Sequence, residues 1–352
     1  MYSPKFTITN EILKNISTVE ACREVIDNAP LVPAWEKRFR DEAANRTVHY
    51  GTHLEGNDLS LSEAVKVMEG QNVVGRERDI QEVINYRKVL DYIDRQQGIM
   101  EYTPLQLKKI QSLTVDKLKS PAECGKYRTT GVVLRNSKTG EISFKPPSFS
   151  EVPKMVDDFF LWLNSDSARN IHPVIRAAIV HYVLAAIHPF VEGNGRTARA
   201  FANLILFSEG YNIKRFFSLE ENFDKDTLGY FGCLMHVSNM HSNLESRDLT
   251  PWIEYFSKVL SIELVRIKEK VKKLSVDLKL KGRLGKQIAL SERQMKMVEY
   301  LEEYRQLTVS QTREILRMVS DDTILRDLKD LVKKGILKKE GKTKAAKYIM
   351  RG

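Results

Sequence analysis

The feature that most constrains the fold of this chain is an apolar helical pattern. The pattern stops at a histidine and resumes after two glycines. Residues 172–187 are apolar on almost every side of a helix, so we expect this helix to be central and buried. The run His188-Pro-Phe-Val-Glu-Gly-Asn-Gly-Arg-Thr-Ala-Arg199 follows, and a second helical pattern continues through residues 198–206. The two patterns predict a buried helix, a tight loop over residues 188–199, and a helix whose N-terminus opens onto that loop.

The loop has the residues of an anion cradle. Gly193 and Gly195 allow backbone angles that are closed to other residues and let the main chain approach a ligand closely. Unpaired N–H groups at a helix N-terminus attract phosphate. Arg196 and Arg199 are three residues apart and can therefore share a helix face, where guanidinium groups match phosphate oxygens in pairs. The amide of Asn194 is a further donor, so the loop predicts a polyphosphate site.

A histidine and an acid flank the cradle. Glu192 is placed to hold Mg²⁺ (or Mn²⁺), because magnesium accepts one or two carboxylates together with phosphate oxygens. His188 can titrate near neutral pH, as a general base should. His181 lies seven residues earlier on the same helix face, and there packing or a hydrogen bond is the better interpretation.

Residues 188–199 match the signature of the Fic family, His-Pro-Phe-x-Asp/Glu-Gly-Asn-Gly-Arg-x-x-Arg, at every fixed position. The resemblance extends upstream and covers the chain from roughly residue 50 to 260. It implies a protein adenylyltransferase that uses ATP, transfers AMP to a Ser, Thr or Tyr hydroxyl of a protein, and modifies itself as well. The alternatives are removal of AMP (deAMPylation), transfer of another phosphate-containing group, or a DNA-binding regulator with a Fic sensor domain.

A β-hairpin is predicted upstream of the buried helix, over residues 132–145. Short apolar runs at 132–135 and 141–144 flank the turn-rich segment 136–140. In the Fic family an equivalent flap clamps the protein substrate as an added strand, which relies on main-chain hydrogen bonds. The alternative is a plain hairpin in solvent.

Glu55, in the segment 52–57, is a candidate inhibitory residue. A carboxylate can pair with Arg199 and occupy the position of the γ-phosphate, since carboxylate–guanidinium pairs are charge-assisted. Related proteins carry such a glutamate in the pattern Ser/Thr-x-x-x-Glu-Gly/Asn. Glu55-Gly56 fits the end of the pattern, but Gly51 stands at the hydroxyl position and the nearest hydroxyl belongs to Thr52. The alternative is a glutamate that ends a helix and touches no nucleotide.

The C-terminal part differs in charge. Residues 265–352 contain 24 Lys and Arg against 12 Asp and Glu, so that, with a total of +10, residues 1–264 carry −2. Helices at about 291–303, 309–317 and 321–334 and two short strands resemble a winged helix. One strip of the third helix would face a groove of duplex DNA: Thr323, Arg326, Lys329 and Lys333. Duplex DNA is therefore a candidate partner, which the sequence leaves open. Lysines of the wing would add to this surface: Lys338, Lys339, Lys342, Lys344 and Lys347. Against DNA binding, four interleaved acids would repel phosphate: Asp321, Asp322, Asp327 and Asp330.

The whole chain is therefore predicted to be mainly α, with a Fic-type helical bundle, a β-hairpin flap and a small α/β winged helix-turn-helix domain. The predicted domains are an N-terminal helical region (1–98), a catalytic domain (99–264), a helical linker (265–285) and the winged helix (286–352). The chain begins without an apolar leader and its longest apolar stretch is too short to span a bilayer. Three scattered cysteines favour a reducing cytoplasm. We expect no membrane partner, and a homo-oligomer is left open.

Overall fold

The computed structural model describes residues 2–29, 31, 33–96, 98–99, 101–135, 142–274, 290–316, 319–341 and 346–351. Contacts within the chain divide it into two units. The first contains residues 1–24 and 40–266, and the second contains residues 25–39 and 267–352. The domain boundaries predicted from the sequence stay predictions, and the predicted linker lies beyond the described residues from position 275 onward.

The described residues up to position 274 are mainly helical and include a short hairpin. Its helices are α1 (Asn10–Asp27), α2 (Pro33–His53), α3 (Leu61–Met68), α4 (Glu77–Asp94), α5 (Pro104–Thr114), α6 (Val152–Leu163), α7 (Asp166–Arg169), α8 (Pro173–Ile187), α9 (Asn194–Ser208), α10 (Leu219–Lys225), α11 (Thr227–Met240) and α12 (Thr250–Leu274). Short 3-10 turns occur at Ile213–Arg215 and Leu244–Ser246. The predicted mainly helical class is confirmed.

Helix α8 is the centre of the first unit. Thirteen of its 15 residues are buried, as its uniformly apolar composition predicts. The neighbouring helix α9 packs along it, and α4 and α5 pack against α9. This arrangement holds the loop between α8 and α9 on a rigid helical base.

Helix starts follow capping chemistry. Ser60 caps α3 in a capping box with Glu63. Ser150 does not cap the helix that contains Phe159. That helix, α6, begins after Glu151 without a side-chain cap, and the Glu151 carboxylate instead accepts a hydrogen bond from the N–H of Ser148 at 3.2 Å.

The predicted hairpin consists of β1 (Leu134–Arg135) and β2 (Ile142–Phe144), which pair antiparallel with Leu134 opposite Phe144. The predicted turn-rich segment 136–140 and the adjoining Glu141 lie outside the described residues. We call residues 132–145 the flap.

The C-terminal unit contains α13 (Glu292–Tyr304), α14 (Val309–Ile315), α15 (Asp321–Lys333), β3 (Leu337–Glu340) and β4 (Lys347–Met350). The strands pair antiparallel as the wing. The core is formed by apolar residues of α13, α15, β3 and β4, among them Val298, Leu328, Leu331, Leu337 and Tyr348, and α14 packs Val309 and Ile315 against it. The predicted winged-helix element order is therefore present, whereas Lys342 and Lys344 of the wing lie beyond the described residues.

Candidate active site at the α8–α9 loop

His188 ends α8 in the left-handed conformation, with φ 51° and ψ 60°. Its ring is half-buried, and Nδ1 lies 3.3 Å from the carbonyl oxygen of Ala185. A hydrogen on Nδ1 directed at this carbonyl leaves the lone pair on Nε2. Burial lowers the pKa of His188 to about 4, against the opposing influence of the Ala185 carbonyl and of Glu55. The ring is therefore neutral at physiological pH and can accept a proton.

The loop after His188 is closed by its own side chains. Asn194 accepts a hydrogen bond from the N–H of Phe190 at 2.9 Å and donates one to the Phe190 carbonyl at 2.8 Å. Gly193 has φ +78°, and a Cβ there would come within 3.0 Å of Val115. Gln111 holds the Glu192 carbonyl at 3.1 Å. The contact with Phe190 uses one of the two amide hydrogens of Asn194, so its predicted role as a donor to phosphate stays a prediction.

Two arginines of the first turns of α9 are buried beneath the loop. Arg196 and Arg199 are each 2% exposed. The Nε–H groups of both have no hydrogen-bond partner within the described part of the chain. Buried polar groups are nearly always paired in folded proteins. The unpaired N–H groups of Arg196 and Arg199 are therefore suited to bind an anion such as phosphate.

Glu55 lies on this cradle. Its Oε1 is 2.9 Å from Arg199, and a Cβ placed on Gly195 would overlap the same carboxylate oxygen. Burial opposes ionisation of Glu55, but the charges of Arg199 and Arg196 outweigh it and hold the pKa of the carboxyl below its usual range. A negatively charged group thus covers the N-terminus of α9, where the sequence predicts phosphate.

The turn that carries Glu55 is tied to α4. Gly56 has φ +90°, a conformation that favours glycine. Asn57 is 2% exposed, and its amide donates to the carbonyl of Asp79 at 3.0 Å and to the carboxylate of Glu82 at 3.1 Å. These bonds fix the end of α2 and so the direction of Glu55.

Gly51 stands where the inhibitory pattern has serine or threonine, and the structure gives a steric reason for the glycine. A Cβ on Gly51 would overlap the ring of Tyr86, and the Gly51 carbonyl accepts a hydrogen bond from Arg199 at 2.9 Å. The hydroxyl of Thr52 donates to the carbonyls of Val48 and His49 in its own helix. Arg199 therefore contacts the backbone at position 51 in place of a side-chain hydroxyl.

Glu192 is surrounded by cations. Its carboxylate contacts Arg78, lies 3.1 Å from Lys119 and reaches within 4.0 Å of Arg196. Among the described residues, no three His, Cys, Asp or Glu side chains group as a metal site would require. One carboxylate suffices for a magnesium ion held mainly by phosphates, so Glu192 fits that use once Arg78 and Lys119 turn away from it.

A cavity of about 120 Å³ joins these groups. His188, Gly195, Arg199 and Glu55 line one side. The flap lines the other side with Leu134 and Phe144, and α11 closes it with Tyr230, Phe231, Leu234 and Met235. The structure therefore brings the predicted base, Gly195 and Arg199 of the cradle, the candidate inhibitory glutamate and the flap together around one space.

Several residues of this site were not predicted. The apolar wall from α11 had only a weak signal, two glycines beside Tyr230 and Phe231 in an otherwise apolar helix. Glu82 is buried and lies 3.3 Å from Arg196, although not aligned for a hydrogen bond. Its spacing from Arg78 is that of an ordinary helix ion pair, which gave no reason to single it out. Arg128 is also close to this site, and no pattern in the sequence singled it out.

His181 is fully buried, as packing or a hydrogen bond would require. Its Nε2 lies 3.0 Å from the hydroxyl of Tyr230, and its ring stacks on Trp252 with centroids 4.8 Å apart. Burial lowers its pKa to about 3. It supports the wall behind Arg199 and does not line the cavity.

Comparison with known families agrees with both predicted domains. Residues 101–206 match the model of the Fic/DOC family, and residues 293–341 match that of the DeoR-like helix-turn-helix domain. Within the described residues, no helix is long and apolar enough to cross a membrane. The cytoplasmic location and the oligomeric state stay predictions.

Among curated proteins, the chain is similar to protein adenylyltransferase fic-1 of Caenorhabditis elegans, with 31% identity over 63% of this chain and 41% of that protein. It is also similar to protein adenylyltransferase Fic of Drosophila grimshawi, with 31% identity over 50% of this chain and 35% of that protein. The chain thus spans less than half the length of these relatives.

Among solved structures, a Fic family protein from Desulfovibrio desulfuricans superposes with a TM-score of 0.67 at 21% identity, over 100% of this chain and 99% of that one. A fragment of Fic-1 from C. elegans superposes with a TM-score of 0.59 at 25% identity, over 74% of this chain and 73% of that one. The fold of the first unit is therefore that of Fic proteins.

Proposed function

Because residues 101–206 form a Fic/DOC domain, we propose that this protein is an adenylyltransferase that moves AMP from ATP to a Ser, Thr or Tyr hydroxyl of a protein. The observation that carries the proposal is the shared cavity, in which His188, Gly195 and Arg199 face the flap. A base, an anion cradle and a surface for a peptide are the three parts that this reaction needs.

ATP would bind across the cavity. The apolar wall of Phe231, Leu234 and Met235 suits the adenine ring, because ligand pockets are mainly apolar with a few directional polar groups. The β- and γ-phosphates belong on Arg196 and Arg199, whose unsatisfied N–H groups support this assignment. Those N–H groups are already buried, so little reorganisation is needed when phosphate arrives.

Transfer is an in-line displacement at the α-phosphorus. His188 accepts the hydroxyl proton on Nε2, the hydroxyl oxygen forms a bond to the α-phosphorus, and the bond to the bridging oxygen breaks. Pyrophosphate leaves and AMP stays on the target. Backbone N–H groups of the Gly193-Asn194-Gly195 segment stabilise charge on the phosphoryl oxygens, as an oxyanion hole does. Positioning and charge supply most of the rate, as in other phosphoryl transfers.

Glu192 would hold Mg²⁺ (or Mn²⁺) together with the phosphates. The ion, when bound, neutralises and orients the phosphate chain. Arg78 and Lys119 contact the Glu192 carboxylate in this structure and would have to leave it for the carboxylate to bind the ion.

Glu55 would inhibit the enzyme at rest. Its carboxylate occupies the Arg199 side of the cradle, so ATP can enter only with its terminal phosphate misplaced. The protein substrate would add a strand to the flap, where Ile142 is 54% exposed. Release of Glu55 would permit transfer to the target and to the enzyme itself.

The test is label transfer from ATP labelled at the α- or the γ-phosphate, with the Glu55→Gly variant and Mg²⁺. Adenylyl transfer places the α-label on protein and leaves the γ-label in pyrophosphate. Stable label from γ alone would identify a kinase. Loss of pre-attached AMP without ATP consumption would identify the alternative deAMPylase.

Duplex DNA is a second candidate partner, through α15. Arg326, Lys329 and Lys333 are exposed on this helix. Three of the four acids expected to oppose DNA have cationic partners within the unit: Asp327 pairs with Arg293 at 2.7 Å, Asp330 with Lys334 at 2.7 Å, and Asp321 with Arg313 at 2.5 Å. Their neutralisation favours the interpretation as a DNA-binding regulator with a Fic domain.

A further inference from the structure

Arg128 is a buried arginine that binds backbone carbonyls in place of a carboxylate. Its side chain is almost fully buried. Its Nε donates to the His188 carbonyl at 2.9 Å, while its terminal nitrogens donate to Thr130 at 3.3 Å and to Pro147 at 2.6 Å. Its own N–H donates to the carbonyl of Pro189 at 2.9 Å.

These acceptors lie on three separate segments of the site. Thr130 and Pro147 flank the flap on its two sides, and His188 with Pro189 form the turn that ends α8. A guanidinium has five N–H donors in a rigid fork, which lets one side chain hold several carbonyls at fixed angles. Arg128 therefore joins both ends of the flap to the turn of the histidine.

The turn needs such support. A residue other than glycine in the left-handed region costs on the order of 1–3 kcal/mol and persists only where the surroundings impose it. His188 has φ 51°. The Arg128 contacts hold the carbonyl side of this residue, and the Asn194–Phe190 pair closes the loop beyond it.

Arg128 also acts through its charge. Burial is the main cause of the lowered pKa of His188, and the guanidinium charge of Arg128 adds to it, whereas the Ala185 carbonyl and Glu55 raise the pKa. Arg199 of α9 and Tyr230 of α11 line the same cavity. A cation beside the ring favours the neutral imidazole.

We propose that Arg128 is a positioning residue that sets the His188 turn and joins it to the flap, so that one side chain aligns the base with the hydroxyl of a target strand. The catalytic part of this proposal rests on the proposed function. Arg128 is not among the residues that line the cavity, so we assign its effect to His188 and the flap rather than to direct binding.

The test uses the full chain carrying Glu55→Gly, with Arg128→Gln or Arg128→Lys added. Lysine keeps the charge but loses the fork, and glutamine loses both. Lys126→Gln, two residues earlier and exposed, is the matched control. Three quantities are measured: AMP transfer, ATP affinity, and the His188 pKa by NMR of labelled histidine, assigned with His188→Ala.

Both Arg128 variants should lose transfer on the order of 100-fold, as expected for a misplaced reacting group, with ATP affinity unchanged. The His188 pKa should rise in Arg128→Gln and stay near the starting value in Arg128→Lys and Lys126→Gln. Full transfer in a folded Arg128→Lys, an equal loss of ATP affinity, or an unmoved His188 pKa in Arg128→Gln would overturn the proposal. If Arg128→Gln does not fold, the Arg128→Lys result decides.

The NMR measurement does not depend on the reaction. If the Glu55→Gly protein transfers no AMP, the proposed function fails, while the His188 pKa still reports whether Arg128 acts on the histidine. The two failures are thereby distinguished.

Discussion

The carboxylate of Glu55 lies 2.9 Å from the guanidinium of Arg199 and directly over the backbone of Gly195. One acidic side chain from the end of α2 thus covers the helix N-terminus and the buried cation that together suit a phosphate. This contact makes autoinhibition testable with single variants.

Glu55→Gly should raise self-labelling from ATP, because it frees Arg199 for the γ-phosphate. Asp58→Gly is the matched control: it removes a carboxylate from the same segment, but one that is exposed and paired with Arg76. Exposed pairs contribute little, so Asp58→Gly should leave the rate unchanged. Equal rates for Glu55→Gly and wild type, with both proteins folded by circular dichroism, would reject autoinhibition.

The departure from the inhibitory pattern predicts a stability effect. Gly51→Ser restores the hydroxyl of the pattern but drives its Cβ into the ring of Tyr86. Overpacking of this kind costs about 1–3 kcal/mol, so the melting temperature should fall. Gly232→Ser is the control, since a Cβ there meets nothing within 4 Å and the glycine is also helical. A melting temperature of Gly51→Ser at or above that of wild type would show that Tyr86 moves freely.

These contacts show what a single sequence can predict. The cradle could be predicted because its glycines, acid and arginines lie close together in the chain. The burial of α8 could be predicted because the helix is apolar on almost every side. The role of Arg128 could not be predicted, because it binds a backbone carbonyl about 60 residues away and every residue type has such a carbonyl. The partner of Asp327 could not be predicted for a related reason, since Arg293 lies on another helix.

Acid should destabilise the first unit through His181. Its pKa is about 3 in the folded chain, against about 6.5 for an unperturbed histidine. The unfolded chain therefore binds the proton first, and stability is lost as pH falls from about 6.5 toward 3. Between pH 7 and pH 5 the loss from this group should be about 2 kcal/mol in denaturant unfolding.

His181→Gln should show less of this acid loss, although it costs stability at pH 7 by disturbing the contact with Tyr230. His236→Gln, at an exposed position, is the control and should keep the wild-type pH dependence. An unchanged pH dependence in His181→Gln would mean that the pKa of His181 is about the same in the folded and the unfolded chain, which would contradict this prediction.

DNA binding by the C-terminal unit should depend steeply on salt. Each neutralised phosphate contributes roughly 0.9 to the slope of log affinity against log salt. Arg326→Ala and Lys329→Ala should each flatten this slope by about one phosphate in fluorescence anisotropy of the full chain. Lys14→Ala, an exposed cation on α1, should not. If wild type does not bind duplex at about 50 mM salt, the winged helix serves contacts with protein.

The most direct measurement of the central claim is the intact mass of Glu55→Gly and of Glu55→Gly/His188→Ala after incubation with ATP and Mg²⁺. We predict an added AMP on the single variant and none on the double variant, with ATP binding retained in both because the loop and arginines hold the nucleotide. An AMP adduct of equal extent on the double variant would contradict the role of His188 as the base. A folded single variant that binds ATP and gains no AMP would contradict the proposed reaction.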